Sequence, residues 1–304
     1  MEILNFDEHL KFDEDTVLVL GYFDGLHRGH QALFAEAKKI AAVLNLKIAV
    51  LTFPEKPTLT FEKFNPEMLL KLTSDKKRAE LFAKNGVDYL VFKDFTSTFA
   101  KLTSEEFSEK IVKRFNPKVV VTGFDYTTGS DMKKLSSTAD YKVVLVPEVS
   151  DNDVKISSTR IREAIRVGNI AKANELLGYA YETTGLVVHG FARGRQIGYP
   201  TANLVIKDYI RIPAAGVYTV DVLIQGERHR GFASIGYNKT FNVKEKTIEV
   251  HIFDLNLDIY GEQLTVFWLD KIREMVKFDG MESLIKQMKS DEAIARNYQN
   301  ERGF

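Results

Sequence analysis

Apolar and polar residues follow two different rhythms along this chain. In the first half, short unbroken apolar runs alternate with segments of helical spacing. TVLVLG (Thr16–Gly21) is a run of the kind that a strand buried on both faces requires. Leu33, Phe34, Ala37, Ile40, Ala41 and Leu44 then recur at helical spacing, and KIAVLTF (Lys47–Phe53) predicts the next strand. A helix is expected from about Ser74 to Asn85, with Gly86 as its stop, followed by a strand in DYLVF (Asp88–Phe92). Thr103 and Glu106 have the spacing of a capping box for the helix SEEFSEKIVKRF. PKVVVTG and YKVVLVPEV supply two further strands. Strands separated by helices predict βαβ units, a parallel sheet, and ligands at the carboxyl ends of its strands.

After about Ala180 the pattern changes. ETTGLVVHG, GVYTVDVLI, RGFASIG, KTIEVHIFD and QLTVFWL show partial alternation, with turn residues between them. The next long helical pattern is MESLIKQMKSDEAIARNYQ, near the end. A small antiparallel barrel closed by a C-terminal helix fits this order. The join is expected near Gly178–Tyr181, giving domains 1–178 and 179–304.

Composition narrows the classes of function. The chain has 304 residues, 44% hydrophobic and 28% charged, as a soluble two-domain protein would. Lys plus Arg and Asp plus Glu both number 42, so the basic excess that accompanies grip on long nucleic acid is absent. With no cysteine, disulfides, thiolate metal sites and cysteine nucleophiles are excluded. The acidic start MEILNFDEHLKFDED lacks a secretory pattern, and no apolar run approaches the ~20 residues of a membrane helix, so a cytoplasmic location is expected.

GYFDGLHRGH (Gly21–His30) joins the first buried strand to the first helix. The free N–H groups and positive dipole end of a helix start favour phosphate there. Gly25 and Gly29 would let a nucleotide approach the backbone, and His27 and His30, three apart, share one side of the first turn. Taken singly, each histidine reads better as a partly exposed residue in a glycine turn. A zinc pair lacks a third ligand placed by motif.

ISSTRIREAI (Ile156–Ile165) runs hydroxyls into a second helix start, where Ser157, Ser158 and Thr159 could simply be caps. GFARGRQIGYPTANL (Gly190–Leu204) spaces Gly190, Gly194 and Gly198 by four before Pro-Thr-Ala-Asn. Thr201 and Asn203 offer neutral oxygens suited to Mg²⁺ beside phosphates. Glu249, in TIEVHIFD, lies one residue off the apolar register of Ile248 and Val250, a position that usually faces solvent.

GYFDGLHRGH resembles the G-x-F-D-G-x-H-x-G-H signature of the HxGH nucleotidyltransferases, and ISSTRIR resembles the second phosphate-binding segment of that superfamily. GFARGRQIGYPTANL resembles the riboflavin kinase signature GxxxGxxxGxPTAN. In this order the two halves resemble the bacterial bifunctional riboflavin kinase/FAD synthetases over nearly the whole chain. That resemblance implies a Rossmann-like α/β nucleotidyltransferase domain, then a small antiparallel β-barrel kinase domain with a C-terminal helix. It implies phosphorylation of riboflavin to FMN and adenylylation of FMN to FAD, with ATP as co-substrate and Mg²⁺ as cofactor.

Carried over by position, His27 and His30 stabilise the α-phosphate, with Gly21, Phe23, Gly25 and Gly29 forming the nucleotide loop. Ser157, Ser158, Thr159 and Arg162 grip the outer phosphates, and Gly190, Gly194 and Gly198 hold ATP in the kinase. Thr201 and Asn203 hold the metal, Glu249 is the base on the ribityl hydroxyl, and Asp125, Asn203, Arg273 and Phe278 face flavin. Flavins and ATP are the expected partners, with no nucleic acid, no membrane and no obligate protein partner. Three segments depart from the family pattern: TFPEKP replaces F-D-P-H-P, Thr128 replaces an aromatic, and SIGYNKTFN stands for N-I-G-x-x-P-T-F. The TFPEKP departure leaves open an alternative, a riboflavin kinase whose adenylyltransferase half is weak or inactive.

Overall fold

Residues 1–190, 198–237 and 246–299 are described by the computed structural model, and the chain divides into two compact units, Met1–Ser158 and Thr159–Phe304. The first is built on six parallel strands: β1 (Glu2–Asn5), β2 (Thr16–Leu20), β3 (Lys47–Thr52), β4 (Tyr89–Phe92), β5 (Pro117–Gly123) and β6 (Lys142–Val146). Their order is β1-β4-β3-β2-β5-β6. Every residue of β2 is buried, as its unbroken apolar run requires of a central strand. From β2 the chain builds outward to β3 and β4 on one side, then returns to lay β5 and β6 on the other. The reversal between β2 and β5 opens a crevice at their carboxyl ends.

Helix α1 (Arg28–Leu44) buries Leu33, Phe34, Ala37 and Ala41, the spacing read from sequence, and ends at Asn45 in a left-handed conformation. Helix α2 (Asp75–Lys84) is capped by Ser74, whose side chain accepts from the Lys77 N–H. After the short α3 (Ser97–Ala100), α4 (Ser104–Lys110) begins with the expected capping box of Thr103 and Glu106. It does not continue through Phe115 as expected. The chain tightens into a 3₁₀ turn over Val112–Phe115 and leaves helical geometry at Asn116, because Pro117 disfavours a helical residue before it. Ile111, Val112 and Phe115 pack there against Leu18, Leu20 and Val120 in the core. A two-residue pair of strands, β7 (Ser150–Asp151) and β8 (Val154–Lys155), precedes α5 (Ser158–Arg166).

The second unit is a closed antiparallel barrel ordered β10-β13-β12-β11-β14-β9. Its strands are β9 (Tyr181–Val188), β10 (Ala202–Val205), β11 (Gly216–Ile224), β12 (Glu227–Tyr237), β13 (Lys246–Ile252) and β14 (Gln263–Arg273). β9 alternates buried and half-buried residues along its length. Helix α6 (Ile170–Leu177) is tied to the barrel by Asn174, which donates to the Trp268 carbonyl at 2.8 Å and accepts from the Tyr181 N–H at 2.7 Å. The C-terminal α7 (Met281–Asn297) is held by a bidentate pair between Arg273 and Asp291, which is 1% exposed.

Candidate active sites

β2 delivers the chain to Gly21, where a side chain would have to displace its neighbour: a Cβ would lie 2.6 Å from the Phe23 ring. Phe23 (φ 58°), Gly25 (φ 81°) and Leu26 (φ 31°) are all left-handed. This tight reversal makes His27 the N-cap residue of α1. Asp24 is buried; its Oδ1 accepts from the Leu72 N–H at 2.9 Å, and its carbonyl accepts from Ser158 Oγ at 3.0 Å.

The His27 and His30 rings stack at 3.6 Å with 17° between planes. His27 Nδ1 accepts from the His30 backbone N–H at 3.4 Å, so in the neutral ring Nε2 carries the proton and is the donor. His30 is partly exposed as a residue, but its Nδ1 is buried without a hydrogen-bond partner. Lost hydration pushes its pKa well below the ordinary histidine value, and the nearby charges of His27, Arg78 and Lys155 lower it further. A Cβ on Gly29 would sit 3.2 Å from two His27 ring atoms, so the bare position makes room for the imidazole.

The histidines open into a cleft of about 400 Å³ at the carboxyl ends of β2, β5 and β6. Gly21, Phe23, Gly29, Asp125, Ser157 and Ser158 share its lining with His27 and His30. Thr159 and Arg162 follow in α5, beyond the limit of this unit. Thr128 is buried, and its carbonyl accepts from Ser104 Oγ at 2.7 Å. Lys155 was not foreseen from sequence. It pairs with Asp125 at the cleft and lies 5.0 Å from the Phe124 ring centroid. Arg78 was missed as well, because DKKRAE reads as a solvated charge run. Its place three and four residues before Leu81 and Phe82 was the available signal for a buried face.

In the barrel, β10 brings the second set together. Asn203 is paired in register with Val188 on one side and Glu249 on the other. Thr201 Oγ1 donates to Glu249 Oε2 at 3.3 Å, and Glu249 is exposed between buried Ile248 and Val250. A Cβ on Gly190 would fall 2.1 Å from Asn203 Nδ2, so that glycine is fitted to the asparagine. Gly198 is left-handed (φ 81°) with open space about it, whereas Gly194 lies outside the described residues, as does the SIGYNKTFN segment beyond Tyr237. His251 contacts the Pro200 carbonyl through Nδ1 at 2.8 Å and packs 5.0 Å from the Tyr199 ring, anchoring the start of Pro-Thr-Ala-Asn. Arg273 is engaged by Asp291 and lies 5.8 Å from the Phe278 ring centroid.

Among the described residues, no group of three or more His, Asp or Glu side chains is placed to hold a metal ion. The Thr201–Asn203–Glu249 set instead provides neutral oxygens and one carboxylate. Such a set fits a hard cation that retains water and takes its other ligands from a nucleotide.

A family model described as FAD synthetase matches residues 9–160, and one described as riboflavin kinase matches residues 177–299. The bifunctional riboflavin kinase/FMN adenylyltransferase of Listeria monocytogenes is 41% identical over 293 residues, 94% of this chain and 93% of that protein. The protein of the same description from Bacillus subtilis is 36% identical, covering 93% of this chain and 92% of its own. A crystal structure described as a macrolide-efflux protein from Streptococcus pneumoniae superposes with a TM-score of 0.94 at 47% identity, covering 98% of this chain and 99% of that one. No helix among the described residues is long and apolar enough to cross a membrane.

Proposed function

The chain belongs to the bifunctional riboflavin kinase/FMN adenylyltransferase family, and from that premise we propose which residues carry each of its two reactions. The enzyme phosphorylates riboflavin with ATP to give FMN, and adenylylates FMN with ATP to give FAD and pyrophosphate. The observation that carries the division of labour is the presence of two separate constellations in one chain. One is the stacked His27–His30 pair in the sheet crevice; the other is the Thr201–Asn203–Glu249 set in the barrel. We assign the first activity to residues 179–304 and the second to residues 1–178.

In adenylyl transfer a phosphate oxygen of FMN attacks the α-phosphorus of ATP, and the bond to the β-phosphate oxygen breaks. His27 donates from Nε2 to the α-phosphate as negative charge builds there, and His30 flanks it. One such donor is worth roughly 10²–10³ in rate. Thr159 donates a hydroxyl hydrogen bond to the β- and γ-phosphates, Ser158 does so on releasing the Asp24 carbonyl, and Arg162 adds a fixed fork of charged donors. Asp125 serves the flavin side of the same cleft. Its exposure at the end of β5 supports that role.

In the kinase, Glu249 Oε accepts the proton of the ribityl 5′-hydroxyl and aligns that oxygen with the γ-phosphorus. The Gly190–Gly198 loop holds the ATP phosphates, while Arg273 and Phe278 flank the flavin. Thr201 and Asn203 would hold Mg²⁺, which when bound neutralises charge on the ATP phosphates. We further propose a cytoplasmic enzyme acting on small molecules, without nucleic acid or an obligate protein partner. The balance of 42 basic and 42 acidic residues supports the absence of a nucleic-acid partner. The two halves are both present, and the cleft histidines are intact despite TFPEKP, which favours two live activities over a kinase alone.

Glu249→Gln tests the kinase assignment. It should abolish FMN formation from riboflavin, while FMN supplied directly is still converted to FAD. An unchanged kinase rate would remove Glu249 from the role of base.

A further inference from the structure

Arginine is rarely buried unless its charge is held by a partner. Arg78, in the first turn of α2, is 2% exposed, yet among the described residues its guanidinium hydrogen bonds go to neutral acceptors. Nη1 donates to the Phe53 carbonyl at 2.8 Å; Nη2 donates to Thr52 Oγ1 at 2.5 Å and to the Tyr22 carbonyl. The Thr52 hydroxyl donates to that same Tyr22 carbonyl at 2.9 Å. One guanidinium therefore joins the end of β3, the TFPEKP loop and the second residue of GYFDGLHRGH.

The connection continues toward the cleft. Arg78 lies over the Tyr22 ring at 5.0 Å and over Phe82 at 5.8 Å. Phe82 meets Phe23 edge-on at 5.8 Å, and Phe23 meets His30 edge-on at 5.2 Å. Phe23 is held at φ 58°, a left-handed conformation that a bulky residue keeps only where its surroundings over-determine it.

We infer that Arg78 is a positioning residue for adenylyl transfer: its fork bolts Tyr22 to the end of β3 and so fixes, through Phe23, the placement of His30 at the cleft. This rests on the assignment of adenylyl transfer to the His27–His30 cleft. Packing alone would not require a cation here, since a buried charge can often be replaced by an apolar side chain of like volume without loss of stability. The charge also acts on the cleft. His30 is faced by His27 from the start of α1, by Arg78 from α2 and by Lys155 from the approach to α5, and all three disfavour its protonation. Asp24, Asp75 and Glu55 act in turn on Arg78.

The test uses the full chain with Arg78→Met, Arg78→Lys and Thr52→Val. FMN adenylylation is followed as kcat and as KM for ATP across pH, and riboflavin phosphorylation in the same preparations reports intact protein. Arg78→Met should lower adenylylation kcat on the order of 100-fold through misplacement of the catalytic group, with KM changed far less and the kinase retained. Its acid limb should move to higher pH, because His30 has lost a neighbouring positive charge. Arg78→Lys keeps the charge and should leave the limb where it is, with roughly a 10-fold fall in kcat from loss of the fork.

A wild-type kcat in Arg78→Met overturns the inference, and so does an equal fall in the Met and Lys variants with neither limb moved. Should Arg78→Met fail to fold, wild-type kcat in both Arg78→Lys and Thr52→Val overturns it. Wild-type protein that forms no FAD from FMN would instead sink the assignment of the cleft itself.

Discussion

His30 carries the strongest residue-scale consequence of this fold. Its pKa is depressed by lost hydration and by the charges of His27, Arg78 and Lys155, so folding favours the neutral ring. The unfolded chain takes up a proton near the ordinary value of about 6.5, and the folded chain does so only at lower pH. The stabilisation is therefore complete above about 6.5 and is lost as pH falls toward the folded value. His30→Asn should flatten that acid dependence, seen in urea unfolding at pH 7.5 and 5.5; an unchanged slope would mean that His30 does not titrate as described. His27, His30 and Glu249 could be singled out as candidates from sequence only because each sits in a string whose neighbours restrict its meaning. Arg78 and Lys155 were not, because a lysine or arginine among other charges reads as solvated. Only the folded chain shows that Arg78 lies inward beneath Tyr22 and that Lys155 pairs with Asp125.

At the scale of elements, the ends of strands do most of the positioning. β2 and its turn present the histidines, while β10 and β13 bring Asn203 beside Glu249. The unbroken apolar runs of β2, β3 and β5 and the alternation of β9 could be read from sequence because each covers several residues of one period. β11, by contrast, alternates only partly in sequence and is buried at every position but Leu223. β10 could not: Ala202–Val205 is four residues long and follows a glycine-rich segment, so ANLV reads as the tail of a loop. The end of α4 was also misjudged, since the 3₁₀ turn at Val112–Phe115 keeps the apolar spacing of a helix while changing its pitch. The fit of Gly190 against Asn203 yields a prediction for these strands. Gly190→Ala would put a Cβ where the Asn203 amide lies and displace it. Riboflavin phosphorylation should fall roughly 10- to 100-fold, with FMN adenylylation unchanged. Steady-state rates of both reactions on one preparation check this, and an unaffected kinase would count against a role for Asn203.

For the whole molecule, the change of rhythm near Ala180 was enough to separate a parallel α/β unit from an antiparallel barrel, and both are present. The helices between them were harder to allocate. α6 has no motif of its own, and its Asn174 bonds to Trp268 and Tyr181 join residues that are far apart or unmarked in sequence. As proposed, residues 1–178 and residues 179–304 each perform one reaction with their own side chains. The most direct measurement is a time course of His27→Ala/His30→Ala with riboflavin, ATP and Mg²⁺, its products resolved by chromatography beside wild type. The expected result is FMN accumulating at the wild-type rate with FAD formation abolished, where wild type carries FMN onward to FAD. FAD formed by the double variant at the wild-type rate would contradict the account.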